Sequence, residues 1–190
     1  EYRAQVGDIS DWRRIAGVIA RKVRAASVDL PVLISPPAFA RTDFLPVMGP
    51  APVSGTVWCV HDYEPREFTH APQASAGIAA FSDSGEYTFA KRIDSLQADA
   101  PVFLGEFGAS RWARGVDDYY SARIAACEAR SMAWAAFRWP TQDKDYEAAD
   151  DMFNVLLGGR ATEPAAIDVL RSAWKQNRRR PSGAKLRGRS

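Results

Sequence analysis

The sequence predicts an α/β fold in which about four parallel strands alternate with helices, as in one half of a (β/α)8 barrel. Three observations predict it. Apolar runs of strand length lie at residues 30–35, 56–61, 101–104 and 132–139, and segments of helical periodicity separate the last three and flank the set. Strands separated in this way imply parallel pairing through right-handed crossovers. Polar and aromatic residues stand at the strands' carboxyl ends, where barrel enzymes keep their chemistry: His61 and Tyr63, then Glu106, then Trp139. A small doubly wound sheet would instead need a glycine-rich phosphate turn after the first strand. That position holds Ser35-Pro36-Pro37, which exposes no row of backbone N–H groups.

The elements follow in order. Asp11 can cap a first helix whose Trp12, Ile15, Ala16, Ile19 and Val23 share one face, with Arg13, Arg14, Arg21 and Arg24 on the solvated remainder. Leu30 to Ser35 reads as a short buried strand closed by Pro36-Pro37, and a proline-rich connection leads on through Pro46, Pro50 and Pro52. Thr56 to His61, β-branched and aromatic, forms the second strand. A long loop with a broken helix occupies Asp62 to about Gly85; connections of that length inside a compact domain are usually functional. Tyr87 to Leu96 is a helix, with Ala90 and Ile93 on its inner face together with Tyr87 or Leu96. The strand leading to Glu106 comes next, and then a helix capped by Asp117 with Tyr120, Ile124 and Cys127 inward. Met132 to Trp139 is the fourth strand, stopped by Pro140. An acidic loop from Asp143 to Asp151 precedes a last helix, opened by Pro164 and buried through Ile167, Leu170 and Trp174.

Composition bounds the rest. The 190 residues are 46% hydrophobic and 25% charged, an ordinary globular balance, and no apolar run reaches membrane-spanning length, so no membrane partner is expected. The chain starts Glu1-Tyr2-Arg3 without a Met and is expected to be a processed or truncated product. Cys59 and Cys127 read as buried free thiols, and neither histidine lies near a cysteine pair, so no metal site is expected. The formal charge of +2 hides an asymmetry. Lys175, Arg178, Arg179, Arg180, Lys185, Arg187 and Arg189 lie in the last sixteen residues with no acid, and subtracting these seven from +2 leaves −5 for residues 1–174. Two regions are therefore expected: a folded part over 1–174 and a basic disordered tail over 175–190. Without aromatic residues to stack bases, the tail predicts no specific nucleic-acid partner.

The segment Pro101-Val-Phe-Leu-Gly-Glu-Phe-Gly108 carries the chemistry. A buried apolar strand delivers one carboxylate, Glu106, between two glycines that allow close approach to a ligand. A strand-end Glu can also cap a helix or pair with an arginine. His61 and Tyr63, two residues apart and so on one side of their strand, favour the functional reading.

The ordered set His61-Asp-Tyr63-Glu-Pro65, Phe68-Thr-His70, Gly105-Glu-Phe-Gly108 and an aromatic-rich last strand resembles glycoside hydrolase family 5, the cellulase-type retaining (β/α)8 barrels. The resemblance spans residues from about 12 to 174 and corresponds to the carboxyl-terminal half of such a barrel. It implies that Glu106 is the nucleophile, that Tyr63 donates a hydrogen bond to it, and that His61 contacts sugar hydroxyls or holds this network in register. It also implies a sugar platform at Trp139 or Phe137, which share a strand parity, and a loop-packing or ligand-contacting role for His70. The family's general acid/base is the Glu of an Asn-Glu-Pro motif ending the fourth strand. No such motif occurs here, and Glu1 falls close to where it would end.

The expectation is therefore an endo-β-glucanase-like retaining glycosidase, secreted or periplasmic, acting on β-glucan or a related polysaccharide without metal or organic cofactor. It would work with an amino-terminal barrel half and be inactive without it. The competing expectations are a non-catalytic carbohydrate-binding half-barrel and another barrel hydrolase sharing only the strand-end Glu.

Overall fold

The computed structural model describes residues 9–72, 80–82, 88–139, 152–156 and 166–176. Helix α1 (Ile9–Ala26) leads into four strands, β1 (Val32–Ile34), β2 (Thr56–Asp62), β3 (Val102–Phe107) and β4 (Ala133–Ala136). All neighbouring strands pair in parallel, in the order β1-β2-β3-β4. Between β1 and β2 run single turns at Pro37–Ala40 (α2), Thr42–Phe44 and Pro46–Met48. Among the described residues, α3 (Arg66–Thr69) and α4 (Phe89–Ser95) lie between β2 and β3; α5 (Val116–Glu128) links β3 to β4, and α6 (Ile167–Gln176) follows. This is the expected half-barrel order.

The sheet has one closed face and one open face. Trp58, Val60 and Asp62 of β2 and Leu104 and Phe107 of β3 are all essentially inaccessible, packed beneath the helices. Each large apolar side chain so buried contributes about 1.5–3 kcal/mol. The alternate positions of β2 are only half-buried, and Leu33 of β1 is 54% exposed. Those residues occupy the side that a closed barrel turns inward.

Several expectations are corrected in detail. Ile9 and Ser10 are already helical, so Asp11 is a helical residue of α1 and not its N-cap. Its buried stripe runs through Ala16 and Ala20, while Ile19 is 53% exposed. A helix against a sheet buries a narrow stripe, and small residues let the backbones approach. Phe89, rather than Ala90, anchors α4 beside Ile93, and Thr88 caps that helix by accepting from the Lys91 N–H. Gly115, in the left-handed region at φ 79°, takes the N-cap position of α5 that Asp117 was expected to hold. The freedom of glycine there outweighs a side-chain cap. Trp174 is 41% exposed, so α6 is buried through Ile167 and Leu170. Strand β4 ends at Ala136, three residues short of Trp139. Helix α6 continues to Gln176, past the expected start of the tail. The remainder of the tail, Tyr87, Pro164 and the acidic loop from Asp143 to Asp151 lie outside the described residues. Both cysteines are free thiols, Cys127 buried and Cys59 half-buried on the open face.

Candidate active site

A bulge in β3 builds the site. Val60 pairs with Leu104, but the next partners are His61 and Glu106, so β3 carries one extra residue, Gly105, at that step. The buried positions of β3 are consequently Leu104 and Phe107, three apart, which sends both Gly105 and Glu106 to the open face. Bulges commonly re-aim a side chain in this way beside active sites. Only glycine fits at 105, because a Cβ there would sit within the van der Waals envelope of the Cys59 sulfur and against the His61 imidazole.

Glu106 Oε2 accepts a hydrogen bond from the Tyr63 hydroxyl at 3.0 Å, and His61 Nδ1 stands 3.4 Å from the same oxygen. The carboxylate is 35% exposed, at the floor of a cleft of about 800 Å³. Burial, and then the negative charge of Glu106, push the Tyr63 phenol above its ordinary range. It therefore remains a neutral donor to the carboxylate. The expected meeting of His61, Tyr63 and Glu106 on one face is thus present.

The backbone at the end of β2 is held on both sides. The Thr42 hydroxyl donates to the His61 carbonyl at 3.1 Å, and Arg41 bridges His61 in parallel register. Between His61 and Tyr63, Asp62 points the opposite way into the helix layer and meets Arg92 and Arg123, the latter at 2.8 Å. Burial pushes the Asp62 carboxyl up against the pull of these two guanidiniums. Arg123 is itself buried, with Phe89 and Tyr119 rings stacked on its guanidinium. Removing one partner of such a buried pair typically costs about 3–5 kcal/mol.

One wall of the cleft is aromatic. Tyr63, His70, Phe137 and Phe153 meet edge-to-face, with ring centroids 5.3–5.7 Å apart in the three contacts Phe153 makes to Tyr63, His70 and Phe137. Such arrangements align ring edges with ring faces and add to the burial of area. Burial and nearby Arg66 lower the His70 pKa. Its Nδ1 lies 2.9 Å from the Thr69 hydroxyl. The following residue is pinned to the β3 side of the cleft: the Ala71 carbonyl accepts from Ser110 Oγ and Trp112 Nε1, both at 2.6 Å. Phe137 lines the cleft, its N–H donating to the Phe107 carbonyl at 2.8 Å. Gly108 allows this, since a Cβ there would collide with the Phe137 carbonyl.

Trp139 is not brought to this cleft. It is 62% exposed and absent from the lining. The shared parity of Phe137 and Trp139 lapses because β4 ends at Ala136, beyond which alternation no longer governs side-chain direction. Trp134 packs against Phe107 and gives its indole N–H to Glu128.

Two aromatic lining residues went unread in the sequence. Phe39 is 61% exposed in the cleft, carried on a turn whose Ala38, Phe39 and Ala40 have φ of 57°, 63° and 58°. A left-handed conformation costs a non-glycine residue roughly 1–2 kcal/mol. No local signal announces such a turn after two prolines. Phe153 follows the acidic loop and is fixed by its neighbours: the Met152 carbonyl accepts from the Arg111 N–H, and the Phe153 carbonyl from the Arg138 N–H. Among the described residues, no group of three His, Cys, Asp or Glu could hold a metal ion.

The comparisons agree with this architecture. Residues 1–143 match the family model for cellulase, glycosyl hydrolase family 5. The chain belongs to glycoside hydrolase family 5. Among solved structures, an endoglucanase superposes with a TM-score of 0.68 at 16% identity, over 91% of this chain and 57% of that one. Thermotoga maritima Cel5A in complex with cellobiose gives 0.66 at 17% identity, over 87% and 55%. The cellulose synthase subunit Z of Clostridioides difficile gives 0.64 at 20% identity, over 85% and 54%. The chain therefore spans a little over half the length of these barrels. No curated protein sequence gives a significant match.

Proposed function

We propose that this family 5 chain forms the nucleophile-bearing half of a retaining endo-β-glucanase acting outside the cytoplasm, where polymeric glucan is met. The observation that carries the reading is the Tyr63–Glu106 hydrogen bond of 3.0 Å on the cleft floor, with His61 against the same oxygen. A retaining glycosidase needs one ionised carboxylate below the anomeric carbon and a protonated one about 5–5.5 Å away across the sugar. Glu106 fits the first role. The Tyr63 hydroxyl donates to it without adding charge, so it orients the carboxylate and leaves its nucleophilicity intact.

In the first step a Glu106 oxygen forms a bond to the anomeric carbon as the bond to the leaving oxygen breaks. A carboxylic acid from the amino-terminal barrel half gives that oxygen its proton. In the second, a water loses a proton to the same group, attacks the anomeric carbon and frees Glu106. The β configuration is retained. Phe137, Phe153 and Phe39 offer apolar faces for pyranose rings along the cleft. Structures of Thermotoga maritima Cel5A bear on the substrate class, one in complex with cellobiose and one with mannotriose. Oligosaccharides of this kind are the proposed ligands here.

The test is the stereochemistry of hydrolysis by the longest gene product containing this chain. With a soluble β-glucan, ¹H NMR at early times should show the β-anomer of the new reducing end. Initial release of the α-anomer would overturn the double displacement, and absence of hydrolysis together with retained glucan binding would favour a binding module.

A further inference from the structure

Three consecutive carbonyls around Tyr63 are each claimed by a different buried side chain. The Asp62 carbonyl accepts from the Tyr119 hydroxyl at 3.1 Å, the Tyr63 carbonyl from the Thr69 hydroxyl at 2.5 Å, and the Glu64 carbonyl from Arg123 Nη2 at 2.6 Å. Thr69 and Tyr119 are wholly buried, and Arg123 is 2% exposed. Asp62 is the final paired residue of β2, and among the described residues no ladder fixes the chain beyond it. A run of carbonyls leaving a sheet is ordinarily satisfied by water or by turns. Here it is satisfied from α3 and α5, and Asp62 in turn neutralises Arg123.

We propose that Tyr119, Thr69 and Arg123 are positioning residues that hold the main chain of residues 62–64, so that the Tyr63 hydroxyl stays aimed at Glu106. The inference rests on the role proposed above for Glu106. The physical reason is lever length. The Tyr63 hydroxyl lies at the far end of a rigid ring, so a small rotation of its backbone displaces the oxygen by much more. A hydrogen bond weakens steeply once its distance and angle are lost. Fixing the peptide units on both sides of Tyr63 removes that freedom before substrate arrives, the preorganisation that active-site groups need. A purely structural clamp would also raise stability, but it would not make its effect depend on the Tyr63 hydroxyl.

The test is a double-mutant cycle in the longest gene product containing this chain. Tyr119→Phe deletes one hydroxyl in a packed core and keeps the ring. It should lower kcat on a soluble β-glucan by about 3- to 10-fold with KM little changed, the loss of one ordinary hydrogen bond. In the Tyr63→Phe background it should cost nothing further, because the group being aimed is gone. Thr69→Val should behave likewise and Thr69→Ser should restore the parent rate, which covers the case of a poorly folded Tyr119 variant. A second readout needs no turnover. With ¹³Cζ-labelled tyrosine, the Tyr63 resonance, assigned by its loss in Tyr63→Phe, should move in Tyr119→Phe and Thr69→Val in the same direction as in Glu106→Gln. Equal losses in both backgrounds, or an unmoved Tyr63 resonance, would overturn the proposal. An inactive parent whose Tyr63 resonance still responds would refute the glycosidase reading and leave the clamp standing.

Discussion

His61 and Glu106 are register partners across β2 and β3, although strict alternation from the preceding pair, Val60 and Leu104, would turn their side chains to opposite faces. The extra residue, Gly105, reconciles them. It shifts Glu106 by one position in the pleat and delivers its carboxylate to the side where His61 and Tyr63 already point.

Gly105→Ala is therefore expected to be costly. The new methyl group meets the Cys59 sulfur, and relieving that overlap means moving the bulge that aims Glu106. Overpacking of this kind costs about 1–3 kcal/mol. Denaturant unfolding should show that loss, and Cys59→Ala should recover part of it by vacating the contested space. An unchanged midpoint in Gly105→Ala would mean that the bulge tolerates a side chain.

Stability should fall as the medium turns mildly acidic, in part through His70. Burial, with Arg66 nearby, lowers its pKa from the ordinary 6.5, so the folded state binds its proton more weakly than the unfolded chain does. The stabilisation of the neutral ring is fully present above the unfolded pKa. It is lost as pH falls below about 6.5 toward the lower folded value. Replacing His70 by Phe, which keeps the edge-to-face contacts with Tyr63 and Phe153, should flatten the midpoint-against-pH curve between pH 7 and 5. A curve of unchanged slope would contradict this.

The open face has a consequence for residues 1–190 expressed by themselves. Leu33 is 54% exposed, Val57 and Phe103 are half-covered, and β1 and β4 each have one edge without a strand partner among the described residues. Unprotected edges beside apolar surface template further pairing. Sedimentation of this polypeptide should show self-association or a broad, poorly cooperative unfolding. A monomer that unfolds in one sharp transition would contradict the half-barrel account of that face.

How much of this was legible depended on how local each signal was. The parallel strands were readable because their apolar runs are short, carry β-branched or aromatic residues and are punctuated by Pro36, Pro140 and the glycines around Glu106. The His61–Tyr63–Glu106 group was readable because two spacings within single strand ends carry it. The bulge was not, since Gly105 looks the same whether it eases a turn or widens a pleat. Ile19 and Trp174 were misplaced because helical spacing gives the apolar face without saying how much of it the sheet covers. Trp139 was misassigned by extending alternation three residues past the end of β4. Phe39 and Phe153 escaped notice because their places depend on partners far away in the chain: Phe39 shares the cleft with Glu106, and Phe153 is fixed through Arg111 and Arg138.

The most direct test of the central claim is to trap the covalent intermediate. A 2-deoxy-2-fluoro β-cellobioside with a good leaving group slows the second step more than the first, so the glycosyl ester accumulates on the nucleophile. Incubated with the longest gene product containing this chain and digested with trypsin, the protein should carry one fluorocellobiosyl mass on the peptide spanning Ile93 to Arg111, fragmenting to Glu106. Glu106→Gln should abolish the label. A hydrolytically active protein that carries the label on a different carboxylate, or hydrolyses without forming any, would contradict the assignment of Glu106 as the nucleophile.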